Sequence, residues 1–115
     1  VEVRKSLEML RNTWEDLKKQ TSDTAMQSKL SWLYNYANNI KDMAETYDYD
    51  LMRHFGKSLR DFCEYLDLHK PPHHVIVQAH IDAMFVVCDD NIRDYTNPKA
   101  EELKASVTRA IEKYS

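Results

Sequence analysis

Residues 30–45 read LSWLYNYANNIKDMAE, and the spacing of their apolar side chains decides the fold class. Leu30, Leu33, Ala37, Ile40 and Ala44 recur at three- and four-residue steps, the period of one face of an α-helix. At about 100° per residue that stripe lies on one side, while Ser31, Asn35, Asn38, Asp42 and Glu45 gather on the other. The apolar side is broad and takes in Trp32, Tyr36 and Met43, so two or three neighbouring elements have to cover it. A helix with that much to bury belongs at the centre of a bundle.

The flanking sequence repeats the pattern. Val3, Leu7, Leu10, Trp14 and Leu17 form a heptad stripe and predict a first helix over about residues 2–20. That stripe has two uses: packing on the bundle as an extra helix, or pairing with a second copy through residues 3–17. Thr21 to Thr24 form a polar break able to cap the second helix, which runs to Glu45 or Tyr47. Leu51, Phe55, Leu59, Phe62 and Leu66 predict a third helix to about residue 67. Pro71 and Pro72 stop the chain and pre-set the first turn of a fourth, which carries Val77, Ile81, Met84, Phe85, Cys88 and Ile92 and ends near Arg93. Asn97 and Pro98 are a cap and first-turn pair for a last helix with Leu103, Val107, Ala110, Ile111 and Tyr114. Short loops between long helices favour antiparallel neighbours. The expected fold is all-α: an antiparallel up-and-down four-helix bundle with an additional N-terminal helix, in a single domain over residues 1–115.

Composition agrees. A chain of 115 residues can bury one core without metal or disulfide help, and one glycine and three prolines leave few turn or strand signals. A hydrophobic content of 43 % with 30 % charged residues is that of a globule rather than a disordered chain. The formal net charge of −3 argues against nucleic acid as a partner, since phosphate binding needs a basic face. No apolar run approaches a membrane span and no leader-like segment opens the chain, so the expected location is cytoplasmic. Opening on Val1 reads as a trimmed chain or a domain of a longer protein. Cys63 and Cys88 sit beside Phe62 and Val87 in helical patterns and read as buried, reduced thiols.

Reactive constellations are scarce. His69, His73, His74 and His80 cluster around the double proline, but zinc needs three or four convergent ligands, and no His-x-x-x-His or Cys-x-x-Cys spacing provides them. They read as solvated or helix-start histidines, and neither metal nor cofactor is expected. Asp42, Glu45, Asp48 and Asp50 lie near one end of the second helix and read as solvated carboxylates. With Gly56 the only glycine there is no phosphate-cradling loop, and no serine or cysteine has a motif partner for nucleophilic catalysis. The sequence gives no positive case for an enzyme. Tyr34, Tyr36, Tyr47 and Tyr49 read as bundle tyrosines or as interface anchors; Tyr34 lies within about 40° of Asn38 on the helical wheel.

Ala37, Ile40 and Lys41, with Tyr47 as a bulky residue after them, resemble the core motif of histidine-phosphotransfer (HPt) domains, a pattern close to Ala-His-x-(Leu or Ile)-Lys-Gly. Leu51, Leu59, Phe62, Cys63, Glu64 and Leu66 are similar to the texture of the family's next helix, and Ala79 to Met84 resemble the fourth helix of bacterial HPt-like proteins. The likeness covers roughly residues 25 to 114 and fails where the family's chemistry lies. Asn38 stands at the phosphoacceptor histidine, Asp42 at the glycine after the motif lysine, and Asp48 at the glycine that closes the helix. Phosphotransfer needs a ring nitrogen with a free lone pair, and the lone pair of a carboxamide nitrogen is delocalised. Asp42 also adds bulk and negative charge where a phosphoryl group would sit.

The resemblance therefore implies a degenerate HPt module that recognises without reacting. The partner it implies is a receiver domain or a histidine kinase of bacterial two-component signalling. Tyr34, Asn38, Lys41, Asp42 and Glu45 are the expected contacts, with help from the third helix. Two alternatives stand beside it. One is an active phosphotransfer protein using His54, whose spacing to Lys57 and Ser58 copies the motif but without a helix end downstream; otherwise His54 reads as a solvated helix histidine. The other is a structural or oligomerising bundle.

Overall fold

The helix boundaries follow from local chemistry that can be followed residue by residue. The structure, a computed structural model, describes residues 2–115. It comprises α1 (Glu2–Lys19), α2 (Asp23–Thr46), α3 (Asp50–Cys63), α4 (Pro71–Asp89) and α5 (Pro98–Tyr114), with no strand among the described residues. Ser22 caps α2, its Oγ accepting from the Ala25 N–H at 3.4 Å, and Asn97 caps α5, its Oδ1 accepting from the Lys99 N–H at 2.9 Å. Pro71 and Pro98 occupy first-turn positions, where a missing N–H costs nothing.

Two helices stop earlier than their apolar periodicity predicts. α3 ends at Cys63 rather than near residue 67, because the chain turns over residues 64–70 and the Asp67 N–H is taken by Nδ1 of His73 at 3.0 Å. α4 ends at Asp89 rather than near Arg93. Asn91 adopts φ 51°, and Ile92 folds back so that its N–H reaches the Val87 carbonyl at 3.0 Å. The end of α2 has the same geometry: Asp48 has φ 55°, its N–H reaches the Glu45 carbonyl, and the Tyr49 N–H reaches that of Ala44 at 2.7 Å. Both are helix terminations of the Schellman type, built on a left-handed residue that is usually glycine.

One apolar core joins all five helices. Packing contacts link α1 to α2, α2 to α3, α3 to α4 and α4 back to α1, while α5 lies on α4. Leu7, Leu10, Trp14 and Leu17 are at most 1 % exposed, and the Trp14 Nε1–H donates to Oε1 of Gln78 at 3.0 Å. The heptad stripe is therefore consumed inside the chain, and pairing of a second copy through residues 3–17 finds no exposed stripe to use. α1 thus packs against both α2 and α4. Trp32, expected under neighbouring elements, is 53 % exposed and stacks on Tyr36 with ring centroids 5.9 Å apart. Among the described residues no helix is long and apolar enough to cross a membrane.

Candidate interaction face on the second and third helices

Gly56 fixes how α3 meets α2. A β-carbon there would lie 3.1 Å from the Lys41 backbone nitrogen and 3.3 Å from the Ala37 carbonyl oxygen, tight enough that the α2 backbone would have to give by a few tenths of an ångström. A glycine here lets the two helices come this near without that shift. The close approach sets the register that puts Arg60, one turn further along α3, opposite Asn38.

Asn38 is half-buried at this seam, and its Oδ1 accepts from Nη1 of Arg60 at 3.1 Å. The same guanidinium grips Oδ1 of Asp61 through Nη2 at 2.8 Å and Nε at 3.1 Å. Lys41, also half-buried, pairs through Nζ with Oδ1 of Asp42 at 2.9 Å. Tyr34 is half-buried, and Asp42 and Glu45 are exposed. The five residues singled out in the sequence thus lie along one helix, and Asn38 is joined by Arg60 and Asp61 of α3. Arg60 carried no signal of its own, since it is 22 residues from its partner and only the Gly56 contact brings it there. At the surface both cations already have a carboxylate, so the face presents paired charges around a held carboxamide.

His69 is exposed and His73 and His74 lie at the start of α4, in line with solvated or helix-start histidines, whereas His80 is neither. His80 is fully buried, its Nδ1 2.8 Å from the Ile76 carbonyl and its Nε2 2.7 Å from Oγ of Ser58. The carbonyl accepts only from an N–H, so Nδ1 carries the proton and Nε2 accepts from the serine hydroxyl. Burial pushes its pKa down to about 4. Ser58 and His80 thus clamp α3 to α4. His73 is buried with its ring edge-on to Phe62 at 5.2 Å, and His74 meets Trp14 at 5.4 Å while its Nε2 lies 2.9 Å from the Leu68 carbonyl. Only His69 is exposed. Among the described residues no group of three or more His, Cys, Asp or Glu side chains could hold a metal ion.

His54 is half-buried, its ring edge-on to Phe55 at 5.3 Å and to Tyr95 at 6.3 Å. Burial first, then Lys104, Arg53 and Lys57, push its pKa down and keep the ring neutral at pH 7. Cys63 and Cys88 are free thiols, the first buried and pushed up to about 12 by burial, the second half-buried. Tyr49 is buried and its hydroxyl donates to the Val87 carbonyl at 2.9 Å, whereas Tyr47 is exposed.

In comparisons with known proteins, no family model, no curated protein and no solved structure matches this chain.

Proposed function

We propose that the chain is a non-catalytic protein-interaction module of bacterial two-component signalling, a pseudo-HPt domain that binds a receiver domain or a histidine kinase through the α2–α3 face. In this reading the helices form an antiparallel up-and-down four-helix bundle with an additional N-terminal helix, and the protein works in the cytoplasm. The observation that carries the proposal is at Asn38. Where the resemblance requires a free imidazole there is a carboxamide on the outer side of α2, held by Arg60. It can accept or donate hydrogen bonds to a partner but cannot take a phosphoryl group. The left-handed backbone at Asp48 supports the resemblance, because the family has a glycine there and φ 55° is a conformation glycine favours.

The test is a panel of purified receiver domains and kinase domains probed with wild type and with Tyr34→Ala/Lys41→Ala. Saturable binding of a receiver or kinase by wild type, weakened roughly tenfold or more in the double variant, is the expected result. Binding unaffected by the double change would reject the face, and no binding to any member would reject the partner class. One observation favours a second reading, phosphotransfer through His54: the ring is kept neutral, with lone pair intact, beside Lys57 in a surface groove. An acid-labile label from a phosphorylated kinase, absent in His54→Ala, would select it.

A further inference from the structure

A second feature lies away from that face, at the end of the molecule where the start of α1 meets the α2–α3 and α4–α5 turns. A cavity of about 350 Å³ opens there, within the size range of small-molecule sites. Val3, Tyr47, Tyr49 and Cys88 supply much of its wall, and Arg4 and Arg93 are its two cations. We propose that this cavity binds a small organic monocarboxylate carrying one aromatic ring or an apolar body of similar size. The proposal does not depend on the pseudo-HPt reading.

The charges decide the ligand class. Arg4 is already engaged, by Glu8 at 3.3 Å and by Asp89. Arg93 is different. Its guanidinium lies over the Tyr49 ring at 4.7 Å, and Nη2 donates to the Tyr47 carbonyl at 3.0 Å. Among the described residues no carboxylate pairs with it, and a guanidinium has five N–H donors of which that bond uses one. A carboxylate can pair with the remaining N–H donors of Arg93, a charge-assisted contact that neither an ammonium nor a neutral hydroxyl makes. The helix C-termini nearby do not repel the anion strongly, since the carbonyls of Ala44, Glu45, Val87 and Cys88 are each covered by a backbone N–H. The wall is also preset, because the Tyr49 hydroxyl is tied to Val87 and the ring cannot swing into the space.

Cys88 provides the readout. It is a half-buried thiol in the cavity wall, whereas Cys63 is buried with its pKa pushed up to about 12 and stays silent toward mild alkylation. The rate of Cys88 alkylation by iodoacetamide is followed by mass spectrometry on the whole chain while 3-phenylpropionate, 3-phenylpropan-1-ol or 3-phenylpropylamine is titrated in. The carboxylate is expected to protect Cys88 saturably, with the alcohol and the amine needing roughly ten- to a hundredfold higher concentration. Arg93→Met should abolish that preference and Arg93→Lys should keep part of it. Equal protection by all three compounds, protection by none, or a preference that survives Arg93→Met would overturn the proposal. Because the comparison of the three compounds is made on wild type, a variant that fails to fold leaves the test decisive.

Discussion

His80 shows how much a single buried side chain can bind the stability of this protein to pH. In the unfolded chain its pKa is near 6.5, and in the folded chain burial holds it at about 4 while Ser58 donates to its bare Nε2. Between those two values the unfolded state binds the extra proton and the folded state does not, so stability is full above pH 6.5 and falls as the pH drops toward 4. At about 1.4 kcal/mol per pH unit the gap is worth about 3 kcal/mol. Urea unfolding of wild type near neutrality and near pH 4 should show a loss of that order, and His80→Leu should remove most of the slope between those points. Equal slopes in the two proteins would mean that surface carboxylates, not His80, set the acid sensitivity. None of this is legible along the chain: His80 reads as one more solvated or helix-start histidine of a cluster, and its partner Ser58 lies 22 residues away. Asn38 is the intermediate case, since its outward position follows from helical periodicity but its bond to Arg60 does not.

At the scale of the helices, what was legible is what the chain encodes locally. A cap for α2 somewhere in Thr21 to Thr24, the Asn97 cap and the prolines at the starts of α4 and α5 follow from residue type and immediate neighbours, whereas the choice of Ser22 among the four does not. The ends of α3 and α4 were overestimated because Leu66 and Ile92 continue an apolar period while the backbone has already turned. Backbone conformation, not periodicity, stops these helices, and it offers a direct test. Asp48 and Asn91 sit at φ 55° and 51°, a region in which any side chain costs something that glycine does not. Asp48→Gly should therefore stabilise the protein by about 0.5–1 kcal/mol, less than the full left-handed penalty because Asp and Asn tolerate this region better than other residues. Thermal denaturation should show Tm raised by a few degrees. Gly56 makes the opposite case. Adding a methyl group against the backbone of Ala37 and Lys41 pushes α2 from α3, so Gly56→Ala should cost about 1–3 kcal/mol by the same measurement. Because Arg60 reaches Asn38 only at that register, this change should also weaken any partner bound at the α2–α3 face.

On the scale of the whole molecule the question is which helix the others cannot do without. The sequence marks α1 as the removable element because a heptad stripe can serve a neighbour or a second copy equally well, and periodicity carries no information about which. The contacts decide it, since α1 packs on both α2 and α4 of its own chain. Magnitudes then separate the two outcomes of removing it. Truncating one buried leucine or tryptophan typically costs about 2–5 kcal/mol, and a domain has only about 5–15 kcal/mol of net stability. Leu7, Leu10, Trp14 and Leu17 are all essentially unexposed, so losing the four together exceeds what the remaining helices can hold. A chain lacking residues 1–20 should accordingly lose its cooperative thermal transition, and size-exclusion chromatography should find it expanded or aggregated. A point variant makes the same argument more gently: Trp14→Ala also leaves Gln78 without its indole partner, and should cost about 3–5 kcal/mol by urea unfolding. A truncated chain that remained a folded monomer with an unchanged transition would show that α1 only decorates a bundle made by the other helices.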